Sequence, residues 1–133
     1  MTAAITELCA TLLGVLEGEA LKAYQDSGGV WTIGFGHTAG VTAGMTCTHE
    51  EAAAWLAEDA APLFAALEGR RALEVAAYVS FGYNCGAGAL ARVLTGKDTI
   101  SNPVHTTDRH GVVLGGLVKR RRLELAMIGA ANG

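Results

Sequence analysis

The sequence predicts a one-domain α+β protein, a mainly helical body with a small antiparallel sheet forming one wall of a cleft. Three observations carry this. Apolar residues Ile5, Leu8, Leu12, Leu13 and Leu16 recur at helical spacing. Two short strand-like runs, Ala20 to Tyr24 and Val30 to Phe35, flank Asp26-Ser27-Gly28-Gly29, where an acidic residue and two glycines suit a tight hairpin. Arg70 to Asn84 is apolar on nearly every side, as a helix in the middle of a bundle must be. A chain of 133 residues buries one modest core and is too short for two.

The first helix spans residues 3 to 16 and places Glu17 at its C-terminal end, before the helix-stopping Gly18. Exposed carbonyls there disfavour a carboxylate unless a cation compensates, which suits a general acid at Glu17; the alternative is a plain surface glutamate beside a helix-ending glycine, the reading position alone favours. After the hairpin, Val41 and Thr42 are expected to add a third short strand before Gly44. Thr48-His49-Glu50-Glu51 is a capping box, in which the threonine hydroxyl and Glu51 satisfy exposed amides at a helix start. That helix runs through Trp55 and Leu56 and is expected to bend or restart at Pro62, because proline in a helix interior costs about 3 kcal/mol. Ser80, Tyr83 and Asn84 carry the polar groups of the central helix, and Gly86 caps it. They read either as contacts to a ligand or as satisfied buried polar groups. Thr95 to Gly116 reads as loop, with Ser101, Asn102 and Pro103 in it. Leu117 to Ile128 closes the chain as an amphipathic helix, and Ala130 to Gly133 are expected to fray.

Half the residues are hydrophobic and 17% are charged, an ordinary globular composition. The net charge of −3 gives no general attraction to nucleic acid, although Lys119-Arg120-Arg121-Arg122 forms either a local basic patch for an anionic polymer or a solvated helix face. Cys9, Cys47 and Cys85 are odd in number and lack C-x-x-C spacing, so neither a zinc site nor a disulfide framework is implied, and they read as small buried hydrophobes. His105, Asp108 and His110 match no standard metal motif and read as a polar surface loop. Glu7 interrupts the opening apolar run and Glu17 closes it, leaving no membrane span and no signal peptide there. Gly28, Gly29, Gly34 and Gly36 fit neither dinucleotide nor P-loop spacing, which removes a nucleotide enzyme built on the hairpin.

One carboxylate at a helix end, a second on a hairpin and the hydroxyl of Thr32 on the return strand together suit glycoside hydrolysis. At Glu17-Gly18, Tyr24-Gln25-Asp26 and Thr32-Ile33-Gly34-Phe35-Gly36-His37 the chain resembles the phage-type lysozymes or endolysins. Val79 to Gly86 is similar to that family's central helix, and Gly116 to Arg121 with Glu124 to its C-terminal helix. Thr95 to Gly116 departs from the pattern and lacks its tryptophan.

The resemblance implies a lysozyme-like fold around a cleft, with a sheet-bearing lobe at about 17–60 and a helical lobe from 1–16 and 61–133. It implies a peptidoglycan muramidase in which Glu17, Asp26 and Thr32 are catalytic, with Trp31, Tyr83 and Asn84 as substrate contacts and His37 in a structural role. It further implies no cofactor and no metal, and a monomer that binds peptidoglycan glycan strands but neither nucleic acid nor, stably, the membrane. Made in the host cytoplasm, it would act in the periplasm or cell wall after release, with a holin upstream. The alternative is a non-catalytic lysozyme-like module that binds peptidoglycan or serves a structural role.

Overall fold

The structure is a computed structural model and describes residues 2–133. Helix α1 spans Ala3–Glu17, and the Thr2 side chain accepts from the Ile5 amide at its start. Strands β1 (Ala20–Gln25) and β2 (Trp31–Gly34) pair antiparallel, Tyr24 facing Thr32 and Ala20 facing Gly34, with an irregularity between Ala20 and Tyr24. The helices α2 (His49–Ala65), α3 (Ala72–Cys85), α4 (Ala87–Leu94) and α5 (Gly115–Asn132) follow, with a 3₁₀ turn at Pro103–Thr106. The predicted class, mainly helical α+β with a small antiparallel sheet, is the one observed. Among the described residues, no helix is long and apolar enough to cross a membrane.

Helix α3 is the axis of the core, as its all-round hydrophobicity requires. Val75, Ala76, Ala77, Val79 and Phe81 are fully buried, and α3 packs against α1, α2, α4 and α5. Gly82 lets two neighbours approach: a Cβ there would lie 2.7 Å from a methyl of Leu63 on α2 and 3.0 Å from one of Leu90 on α4. The predicted capping box is present, with the Glu51 amide donating to Thr48 Oγ1 at 3.2 Å and the Thr48 amide to Glu51 Oε1 at 3.1 Å.

Four expectations are corrected. The third strand does not lie at Val41 and Thr42, which belong to turns. Instead Thr46 bridges Lys22, with the Ala23 amide donating to the Met45 carbonyl and the Cys47 amide to Leu21. Gly40 and Gly44, both at positive φ, use the earlier residues to turn the chain. Helix α2 does not restart at Pro62: of the two outcomes expected, bend or restart, the restart is ruled out, as the helix continues to Ala65 with Pro62 exposed and the freed carbonyl one turn back open to water. Helix α4 begins immediately after Gly86, a helix the sequence reading left out. The C-terminal residues do not fray: α5 continues to Asn132, whose amide donates to Glu74 Oε2 at 2.9 Å, and Arg71 donates to the Ala131 carbonyl.

Candidate active site

Glu17 is the last residue of α1, and Gly18, at φ 74°, turns the chain out of the helix while its amide donates to the Gly14 carbonyl. The last turn of α1 carries no basic residue, so the compensating cation comes from far away in sequence. Arg120 of α5 places Nη1 2.6 Å from Glu17 Oε1. Arg120 is itself fixed, donating from Nη2 to the Ser80 carbonyl at 3.0 Å and from Nε to the Ser80 hydroxyl at 3.1 Å. The Ser80 hydroxyl donates in turn to Glu124 Oε2 at 2.5 Å. Arg121 Nη2 donates to that same oxygen at 3.0 Å, and its Nε lies 2.6 Å from Oε1 in a contact too bent to be a hydrogen bond. Burial pushes the Glu124 carboxyl up from its ordinary value, against the opposing pull of the Ser80 hydroxyl and of Arg121.

The stretch from Lys119 to Arg122 is therefore neither a surface patch nor a solvated face as a whole. Arg120 and Arg121 are buried and ion-paired, and only Lys119 and Arg122 face solvent.

Asp26 sits exposed in the hairpin. Its Oδ1 accepts from the Gly28 amide at 2.8 Å and from the Val30 amide at 2.9 Å, so the carboxylate builds the turn that presents it. Oδ2 is left for other partners. Thr32 lies on β2 with its hydroxyl donating to the Val30 carbonyl at 3.0 Å, and the residue is only 4% exposed. Val30 thus ties Asp26 through its N–H and Thr32 through its C=O. Both belong to one rigid turn, while Glu17 is held separately by α5.

His37 is buried, stacked on Trp55 at 4.8 Å between ring centres, with Nδ1 2.8 Å from Asp59 Oδ2. Its backbone exchanges two 2.9 Å hydrogen bonds with Ile33, which closes Gly34-Phe35-Gly36 into a tight corner, the structural role expected. Gly34 is required there: its φ is 66°, and a Cβ would meet that of Ala52 at 3.2 Å. Tyr83 donates its hydroxyl to the Phe35 carbonyl at 2.7 Å, and burial, reinforced by Asp59 and Glu17, pushes that phenol well above its ordinary value. A cavity of about 300 Å³ is lined by Gly36, Thr38, Asp59, Pro62, Tyr83 and Ala87, and Tyr83 alone among the predicted site residues borders it. Asn84 is exposed, its Oδ1 accepting from Arg121 Nη1 at 2.9 Å, while Trp31 is half-buried at the start of β2.

Arg120, Glu124 and the bridging role of Ser80 were not drawn out of the sequence. The available signal was helical spacing, since Glu124 stands three and four residues after the two arginines and must share their face. His105, Asp108 and His110 do not converge: His105 Nε2 pairs with Asp98 Oδ2 at 2.9 Å, and Asp108 Oδ1 accepts from the His110 and Val112 amides. All three cysteines are free thiols. Cys9 is buried, as expected, but Cys47 and Cys85 are only partly so.

The chain is 44% identical over 63 residues to an endolysin of Acyrthosiphon pisum secondary endosymbiont phage 1, a match covering 47% of this chain and 43% of that relative. The matched stretch thus spans less than half the length of that relative. Among solved structures, the muramidase domain of SpmX from Asticaccaulis excentricus is 28% identical with a TM-score of 0.71, each chain covered to 95%. An endolysin from Escherichia coli O157:H7 phage FAHEc1 is also 28% identical, with a TM-score of 0.74 and coverage of 96% of this chain and 92% of that one. The profile of the phage lysozyme family matches residues 14–124, which takes in Glu17, the whole hairpin and Arg120 to Glu124, and the chain belongs to the phage lysozyme family.

Proposed function

We propose that the chain is a peptidoglycan hydrolase, a muramidase that cleaves the β-1,4 bond between N-acetylmuramic acid and N-acetylglucosamine with inversion. The observation that carries this reading is a pair of carboxylates in unlike surroundings. Glu17 is half-buried at a helix end against one guanidinium, whereas Asp26 is exposed with one oxygen held by two amides and the other available. Glu17 gives its proton to the leaving oxygen of the glycosidic bond. A water attacks the anomeric carbon from the opposite face, passing one proton to Asp26 Oδ2 and keeping the other, which donates a hydrogen bond to the Thr32 oxygen; that hydroxyl already donates to Val30 and can still accept. Room for that water needs about 6.5–9.5 Å between the carboxyl groups, against about 5–5.5 Å for a covalent route.

Trp31 offers an apolar face to a sugar ring. Tyr83 keeps an acceptor lone pair and Asn84 its amide N–H groups for sugar hydroxyls. In this reading the protein acts as a monomer on glycan strands, without a cofactor, and a holin opens its way to the wall.

The test is release of reducing ends from purified peptidoglycan. The chain should cleave it, Glu17→Gln should lose about 10²–10⁴-fold in rate while still binding, and the new end should form in the configuration opposite to that of the bond cut. Binding without cleavage by the unaltered chain would identify a non-catalytic wall-binding module instead.

A further inference from the structure

The acid assigned above stands at one end of a line of enclosed polar groups, and at the other end is a second carboxylate that the reaction does not use. Glu124 and Ser80 are wholly buried, and Arg121 and Arg120 are nearly so. Each nitrogen of Arg120 has its own partner: Nη1 holds Glu17, Nη2 the Ser80 carbonyl, and Nε the Ser80 hydroxyl. Because that hydroxyl accepts from Arg120 and donates to Glu124, it stands between them, and Arg120 Nε remains 3.7 Å from Glu124 Oε2. Arg121 closes the far side of Glu124 and is tied to Asn84 Oδ1 and the His105 carbonyl. Hydrocarbon of similar volume often fills such a core at no greater cost than three buried charged groups, so the arrangement calls for a reason besides stability.

We propose that Ser80 and Glu124 are positioning residues for the acid: the Ser80 hydroxyl keeps Arg120 off Glu124 and on Glu17, while the Glu124 carboxylate takes up part of the charge that Arg120 would otherwise direct wholly at Glu17. The proposal rests on the assignment of Glu17 as the general acid. An acid beside an undivided cation gives up its proton too readily to donate it to a leaving group, and an acid at a helix C-terminus without a cation holds it too tightly. Sharing one guanidinium between two carboxylates moderates the pull of Arg120 on Glu17.

Besides Asp26 across the cleft, the nearby titratable groups are neutral or already paired. From α3 comes Tyr83, a neutral phenol. Asp59 of α2 is paired with His37, and Glu19 at the head of β1 is paired with His49 at 2.7 Å. The remaining cations of that stretch of α5, Lys119 and Arg122, face solvent.

Two variants separate the two roles because they act in opposite directions. In Glu124→Gln, Arg120 is left to Glu17 alone. The carbon NMR titration midpoint of the Glu17 carboxyl should fall by about one unit, the scale of a nearby charge change, and the alkaline limb of the kcat–pH profile should move with it. In Ser80→Ala the spacer is gone, Arg120 closes on Glu124, and both midpoints should rise. KM should stay near its unaltered value in each. A purely structural role would lower the melting temperature and leave the midpoints where they are.

Should Glu124→Gln fail to fold, with Arg121 stranded, the smaller change Ser80→Ala carries the test by itself. Unmoved midpoints in a folded variant, or a shift of the same sign in both, overturn the proposal. The NMR measurement needs no turnover, so an unaltered chain that does not cleave glycan refutes the muramidase reading while leaving the brace itself decidable.

Discussion

Thr32 gives its hydroxyl proton to the Val30 carbonyl, so it can act on a water only as an acceptor, from a position almost closed to solvent. If its oxygen orients the nucleophile, Thr32→Ala should fold and bind glycan but slow hydrolysis about 10–100-fold, the value of one hydrogen bond to a reacting group; steady-state kinetics at an unchanged melting temperature checks this. Thr32→Glu would put a carboxylate where the water stands, and intact-protein mass spectrometry should then find a covalent glycosyl adduct. The thiols behave differently from one another. Burial raises all three, Cys9 to about 11, but only Cys9 is shut from solvent, so at neutral pH a thiol reagent should label Cys47 and Cys85 first, while replacement of all three by Ala should leave turnover intact. At this scale the shared turn of Asp26 and Thr32 was legible because Tyr-x-Asp and Thr-Ile-Gly-x-Gly-His lie within a few residues of one another. Arg120 was not, because the spacing of Glu124 shows which two arginines share its face but not that this face points inward. Burial decides that, and burial belongs to the assembled molecule.

At the level of elements, the sequence announces starts and stops well and pairings poorly. The capping box at Thr48 is a local signal and was found, and Thr48→Ala should cost about 1 kcal/mol in chemical denaturation. The misplaced third strand was a question of which residues cross β1, settled by tertiary contact rather than propensity. Gly82 shows two opposing magnitudes. Alanine would gain up to about 1 kcal/mol of helix propensity, but overpacking against Leu63 and Leu90 costs about 1–3 kcal/mol, and with neighbours on both sides the loss should win. A lowered urea midpoint for Gly82→Ala is the expected result. The segment between α4 and α5, where the family pattern fades, is organised by Asp98. Hydrogen bonds from the Asn102 side chain, the Thr99 amide and His105 hold its carboxyl down at about 2. Because that lies below the ordinary value of about 3.9, Asp98 stabilises the fold fully above roughly pH 4 and less as pH falls toward 2. Melting temperature should drop across that window, and less steeply in Asp98→Asn.

For the molecule as a whole, the class was legible because hydrophobic periodicity and the hairpin turn are both read locally, and the mostly apolar stretch at residues 72–85 left one place for α3. What could not be read was closure: the last turn of α5 held by Arg71 and Glu74, and α5 as the carrier of a cation for α1. Glu17 and Arg120 stand 103 positions apart in the chain. Synthesis proceeds at about 5–20 residues per second, so the acid emerges about 5–20 s before its partner. A nascent or prematurely terminated chain therefore has the acid and the hairpin but no guanidinium against Glu17, and a contact of such long sequence separation forms late in folding because the whole intervening loop must first be closed. If the reaction proposed above depends on this contact, it begins only once α5 has been made.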